Sequence, residues 1–435
     1  MICVSARGRA PAVPFRDAVL AGLAPDGGLY VPASLAPRPS AWWNDLRGAS
    51  FQDVAVTLAR ELLGDEFTPA ALTSLITEAL NFPIPLVTLE DRLVVVELFH
   101  GPTLAFKDVG ARTLARVIGE MRDTAAEPLT VLVATSGDTG SAVADAFFGV
   151  PKTRVVVLYP AGQISDVQEA QMSTLGGNVT AVAVAGTFDD CQRLAKEAFG
   201  SETLRDRLHL TSANSISLGR LVPQMFYYAY AALQAPVGAP VVISVPSGNF
   251  GNLAAGVMAQ RLGAPITSFG AATTVNDTVP RYLESGRFEP RPSIATLANA
   301  MDVGNPSNFE RLDWLFDGSR EAMRSVISPS VHTDADVRRA LAELHRLYGY
   351  IADPHTAIAY LGARTSWHFG TPWHPGTMTP WHFVLGTAHP AKFREAVEPA
   401  IGVSVQLPAS LVAALGRSRV IERISPTLDD LMMLL

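Results

Sequence analysis

Apolar positions along this chain repeat with two different periods. Over Phe51–Leu63 they return with helical spacing at Val54, Leu58 and Leu62, which predicts an amphipathic helix. From Leu129 onward, short β-branched runs at Leu129–Ala134, 154–159, Val179–Val184 and 208–211 alternate with helical stretches. Strands alternating with helices imply a parallel sheet covered on both faces. The stretch 234–240, Gln-Ala-Pro-Val-Gly-Ala-Pro, reads as a linker. Beyond it, a strand at 241–245 and a helix over Gly251–Arg261 open a second block. Near the end, 383–385 reads as a buried strand running into a turn, with Thr387 at its C-terminal edge.

Residues 1–99 are proline-punctuated, with a turn at Pro25-Asp26-Gly27-Gly28. At 435 residues the chain exceeds the size at which one core usually divides. The expected α/β architecture is therefore a 1–99 accessory segment followed by two domains, each with a twisted, mostly parallel sheet flanked by helices. The smaller, 100–234, carries Lys107 and the loop at 135–140. The larger, 235–435, carries the loop at 246–252 and Thr387.

Composition narrows the function. Apolar residues make up 48% and charged ones 17%, yet no apolar run is long enough to span a bilayer, and nothing near Met1 reads as a signal peptide. A formal charge of −7 without a basic cluster argues against nucleic acid or an anionic membrane as partner and points to a small molecule. Cys3 and Cys191 are isolated, consistent with a reducing cytoplasm. Only Lys107, Lys152, Lys196 and Lys392 are lysines among 34 basic residues. A chain that writes its cations as Arg keeps Lys where a primary amine that can lose its proton is needed, as in imine formation.

Four segments carry candidate chemistry. In Pro246-Ser-Gly-Asn-Phe-Gly-Asn252 a glycine-rich loop enters a helix, so backbone N–H groups and the helix dipole can hold a phosphate; a plain glycine turn is the alternative. Thr135-Ser-Gly-Asp-Thr-Gly140 precedes a helix expected from Ser141 and suits a substrate carboxylate, or merely caps that helix. Lys107, in His100-Gly-Pro-Thr-Leu-Ala-Phe-Lys-Asp108, stands at the start of a helix with inward face Ala111, Leu114, Ala115, Ile118 and Met121. Desolvation there favours the neutral amine; a snorkelling surface lysine is the alternative. The Thr387 hydroxyl can meet a ring nitrogen, or cap a turn.

Together with Ala24-Pro-Asp-Gly-Gly-Leu-Tyr-Val-Pro32, Ser212-Ala-Asn-Ser215, Val275-Asn-Asp-Thr-Val-Pro-Arg281, Asn299-Ala-Met-Asp-Val303 and Gly386-Thr-Ala-His-Pro-Ala-Lys392, these segments give the chain a resemblance along its whole length. It resembles the threonine synthases of the longer bacterial and fungal type, within the fold-type II pyridoxal phosphate enzymes. The resemblance implies that Lys107 is the Schiff-base lysine, that Gly248, Asn249, Phe250, Gly251 and Asn252 cradle the phosphate of pyridoxal 5'-phosphate, and that Thr387 faces the pyridine nitrogen. It further implies that Ser136, Gly137, Thr139 and Gly140 bind substrate carboxylate and that Asn214, Ser215 and Arg220 grip substrate phosphate. The substrate would be O-phospho-L-homoserine, converted with water to L-threonine and phosphate in the cytoplasm by a monomer or homodimer. Asp138 stands where the wider fold has Asn, beside the cofactor's phenolic oxygen, so it must share a proton, turn away or pair with a cation. A phospholyase or dehydratase yielding 2-oxobutyrate, and a cofactor-binding module without turnover, are the rival readings. The segment 366–382 holds His368, His374 and His382 among three tryptophans; its prolines and glycines predict a loop, not a metal site.

Overall fold

In a computed structural model, residues 1–122, 127–368 and 379–435 are described. The helix Phe51–Leu63 forms as expected: the Ser50 hydroxyl accepts from the Asp53 N–H at its start, and Phe51, Val54, Ala55, Leu58, Ala59 and Leu63 turn inward. Leu62 is only half-buried, so the inward stripe ends one residue later than the spacing predicts.

The described residues build three sheets. Val13–Pro14, Ile2–Ser5 and Tyr30–Pro32 make a small antiparallel one. Five parallel strands, in the order Ile421–Ile424, Val179–Val184, Thr153–Pro160, Leu129–Ala134 and Leu210–Ser212, make the second. The third runs Ile327–Val331, Ser268–Thr273, Val241–Pro246, Trp381–Gly386 and Leu93–Glu97 in parallel, with Leu86–Glu90 antiparallel at its edge. Every residue of Leu129–Ala134 is buried, as a strand with helices on both faces requires. Helices Lys107–Met121 and Asp138–Phe147 pack on each other beside the five-stranded sheet, and Pro354–His368 lies across the larger one.

Sheet membership departs from the boundaries expected at 99 and 234. Leu93–Glu97 and Leu86–Glu90 belong to the larger sheet, and Ile421–Ile424 belongs to the smaller. The segment 234–240 is a short connection, not a spacer, because the helix before it, Gln224–Leu233, packs against Gly251–Arg261 after it. Two further boundaries shift. The expected strand 208–211 begins at Leu210, because helix Glu202–Leu208 occupies the residues before it. The helix expected from Ser141 begins at Asp138, because Gly137, at φ 134°, takes up a backbone turn that other residues resist.

Candidate active site

The segment before Lys107 is laced to the end of Trp381–Gly386, one of the two middle strands of the larger sheet. The Leu98 N–H donates to the Gly386 carbonyl at 2.8 Å, Phe106 N–H to the Thr387 carbonyl at 2.8 Å, and His389 N–H to the Leu104 carbonyl at 3.1 Å. Lys107 begins the helix Lys107–Met121, whose expected inward residues Ala111, Leu114, Ala115, Ile118 and Met121 are all buried. The residue as a whole is half-buried, with Nζ 5.1 Å from the centre of the Phe106 ring. Burial pushes its pKa down to about 8; Arg220 and Lys392 push the same way, and Asp138 and Asp353 oppose them.

Two loops face this amine. In the first, Thr135 Oγ1 accepts from the N–H groups of Gly137 at 2.9 Å and Gly140 at 2.8 Å. Those amides therefore shape the loop, whereas Ser136 and Thr139 stand on the cavity wall. In the second, Phe250 adopts the left-handed conformation (φ 60°, ψ 6°), which turns the chain into the helix Gly251–Arg261. A Cβ at position 248 would lie 2.5 Å from Met301 Cα, so glycine alone fits. Asn249 ties the loop down: its Nδ2 donates to Ser215 Oγ at 2.7 Å, and its Oδ1 accepts from the Ser307 N–H at 2.6 Å. Asn252 Oδ1 accepts from the hydroxyls of Tyr227 (2.6 Å) and Tyr228 (2.8 Å), while its buried Nδ2 has no partner.

Between the loops, both ends of the Asn214 amide are bonded to Ala134, by donation to its carbonyl at 2.6 Å and acceptance from its N–H at 3.1 Å. Asn214 thus anchors the segment to the smaller sheet. Arg220 is 2% exposed; Nη1 donates to the Ala213 carbonyl at 2.7 Å, but Nε has no partner. Burial lowers its pKa to about 10, still charged at neutral pH. A buried guanidinium that lines the cavity and keeps a donor unpaired is poised for an anion.

Asp138 takes the third course open to it: it pairs with a cation. Lys392 Nζ lies 2.7 Å from Asp138 Oδ1 with both side chains buried, and Gln168 Nε2 donates to the same oxygen at 2.9 Å. Burial alone would raise this carboxyl; Lys392 and Lys107 outweigh it and hold Asp138 well below the usual range. Lys392 and Gln168 are site residues that sequence reasoning missed. Lysine scarcity pointed toward Lys392; nothing marked Gln168. Two others are His355, on the cavity wall, whose Nδ1 lies 2.7 Å from Asp353 Oδ1, and Thr356, which donates to Asp353 and accepts from the Thr387 N–H at 3.3 Å. Arg311, fully buried, donates to the Tyr30, Ser215 and Ile216 carbonyls and to Asn308. Of the three histidines in 366–382, His374 and the His368 side chain lie outside the described residues; His382 is in the strand Trp381–Gly386.

These elements enclose a cavity of about 700 Å³. Lys107, Ser136, Asp138, Thr139, Asn214, Ser215, Arg220, the whole run Gly248–Asn252 and Thr387 line it; Gly137 and Gly140 do not. The family model for pyridoxal-phosphate dependent enzymes matches residues 80–369, and those for the threonine synthase N terminus and C-terminal region match 3–80 and 374–432. The threonine synthase of Serratia marcescens is 44% identical over 403 residues, 92% of this chain and 90% of its own. The chain belongs to the threonine synthase family. Two solved threonine synthases share its fold throughout. That of Escherichia coli has a TM-score of 0.92 at 39% identity, covering 100% of this chain and 99% of its own. The PLP-bound one from Brucella melitensis has a TM-score of 0.91 at 38% identity, covering 100% and 98%.

Threonine synthases are pyridoxal-phosphate dependent, and the residues present fit that cofactor. An amine depressed toward neutrality stands beside a glycine-shaped loop at a helix N-terminus, where amides lack helical acceptors and the dipole favours a phosphate. The α/β fold sets the two loops and Thr387 at the C-terminal ends of parallel strands. Among the described residues no helix is long and apolar enough to cross a membrane, and no cluster of His, Cys, Asp and Glu could hold a metal ion.

Proposed function

We propose that this cavity converts O-phospho-L-homoserine and water to L-threonine and phosphate. The observation that carries the reading is an amine of pKa about 8 set between two anion-receptive loops, with the buried Arg220 guanidinium on the same wall. When bound, pyridoxal phosphate supplies an electron sink for negative charge developing at the substrate's α-carbon.

The chain's own residues do the rest. Gly248 to Asn252 hold the cofactor's phosphate by backbone N–H groups, and Thr387 presents a hydroxyl to its ring nitrogen. Asp138, kept ionised by Lys392, flanks Lys107. Ser136 and Thr139 hold the substrate carboxylate, with Gly137 and Gly140 shaping their loop. Arg220 and Ser215 bind the substrate phosphate, and Asn214 orients their segment. Lys107 takes a proton from Cα and then from Cβ; a base near the working pH suits both transfers. Overall the Cγ–O bond breaks and phosphate departs, Cβ exchanges one hydrogen for the hydroxyl of water, Cγ gains a hydrogen, and Cα regains the proton it gave up. Small-molecule turnover in the cytoplasm, by a monomer or homodimer, completes the reading.

Replacing Lys107 by Ala should remove the imine absorbance and lower turnover by about 100-fold or more. Product analysis decides between this reaction and its rival: threonine supports the proposal, and 2-oxobutyrate with ammonia would replace it by a dehydratase.

A further inference from the structure

Lys392 moves no proton in the steps above, yet its side chain is wholly buried. An ammonium in such a place needs partners. It has Asp138 Oδ1 at 2.7 Å and the Thr103 carbonyl at 2.9 Å. Lys392 lies behind Asp138, which alone of the two reaches the cavity wall that Lys107 shares.

The charged groups acting on Lys107 are Asp138, Asp353, Arg220 and Lys392. Asp353 is engaged by His355 and Thr356. Asp108, next in the chain, is bonded by the hydroxyl and N–H of Thr103 at 2.6 and 2.9 Å. Arg220 donates to a carbonyl. Asp138, on the wall that Lys107 shares, is therefore the carboxylate able to claim Lys107 as an ion-pair partner, and it is held instead by Lys392 at 2.7 Å and Gln168 at 2.9 Å.

We propose that Lys392 is a positioning residue acting through Asp138: as that carboxylate's permanent counter-ion it leaves Lys107 unclaimed, free to react as a neutral amine. The inference rests on the reading of Lys107 as the cofactor-bearing amine. Condensation joins the amine nitrogen to the aldehyde carbon, and the aldehyde oxygen leaves as water with both amine protons. Only an amine with a free electron pair begins it. Without Lys392, Asp138 in this desolvated wall holds Lys107 as ammonium, whose electron pair is bound to a proton.

The test uses the full chain stripped of cofactor. Imine formation with added pyridoxal phosphate is followed by absorbance and borohydride trapping from neutral to alkaline pH, and the midpoint reports Lys107. In Lys392→Met the midpoint moves up by about one unit or more, so the rate at neutral pH falls about tenfold. Lys392→Arg keeps the original midpoint, and adding Asp138→Asn to Lys392→Met moves it back toward the original. A Lys392→Met profile that superimposes on that of the unmodified chain overturns the proposal. Should Lys392→Met not fold, Asp138→Asn alone serves: with both cations left and the anion gone, its midpoint falls, and an unmoved midpoint overturns the proposal equally. A purely structural role changes yield or melting temperature without moving the midpoint. If the unmodified chain forms no imine at Lys107 at any pH, the reading of Lys107 fails instead.

Discussion

At the scale of single residues, the site depends on buried cations whose bonds are incompletely filled. Arg220 combines one donor given to a carbonyl with another left free. A lysine there supplies a point charge without the planar fork. Arg220→Lys should lower kcat/KM by about 10- to 100-fold, the worth of a charge-assisted hydrogen bond of about 1.5–3 kcal/mol. KM for the phosphorylated substrate should rise while cofactor affinity, measured by fluorescence titration, stays as it was. Lys107 was legible in the sequence because lysine is scarce and this one opens a helix. The partner of Asp138 was not, because Lys392 comes at the far end of the chain and only the fold brings them together. Asn214 and Asn249 line the cavity, and their side-chain amides also brace backbone and loop. A sequence motif marks where a residue type is needed but not which way its side chain is used.

At the scale of elements, the two helix-entry loops depend on glycines placed where a methyl group has no room. Gly248→Ala puts a Cβ 2.5 Å from backbone at Met301, which cannot yield as a flexible side chain can. The cradle must open, and affinity for pyridoxal phosphate should drop about tenfold or more, equivalent to at least about 1.4 kcal/mol; equilibrium titration of the stripped protein measures it. Gly137→Ala adds backbone strain at φ 134° to a 2.4 Å contact with Gln168, so both folding yield and Asp138 placement should suffer. Strand and helix positions were largely readable from periodicity: Leu129–Ala134, Val179–Val184 and Gly251–Arg261 fall where the apolar pattern puts them. The start of the helix after Gly137 was misplaced because periodicity registers side chains, and it was a backbone angle that set that boundary.

At the scale of the whole molecule, the two large sheets are each finished by a strand from a distant part of the chain. Local patterns carry no information about such pairings, so the sequence boundaries at 99 and 234 missed them. Strand Ile421–Ile424 covers the edge of Val179–Val184, and the Arg154 guanidinium donates to the Leu434 and Leu435 carbonyls at 2.7 Å each. A chain ending at Gly416 should melt several degrees lower and aggregate faster on heating, since it bares the valine-rich edge of Val179–Val184; light scattering during a thermal ramp reads this. Pyridoxal phosphate at about 100 times its Kd should in turn stabilise the intact protein by about 2.7 kcal/mol, seen as a higher melting temperature.

That late-arriving strand has a consequence for biosynthesis. On the ribosome, Val179–Val184 emerges about 240 residues before its neighbour Ile421–Ile424, a wait of roughly 12–48 s at 5–20 residues per second. Throughout that interval the nascent domain presents an unsatisfied row of backbone donors and acceptors to every other unfinished chain on the same messenger. Crowded translation of this protein thus exposes it to pairing with its own copies.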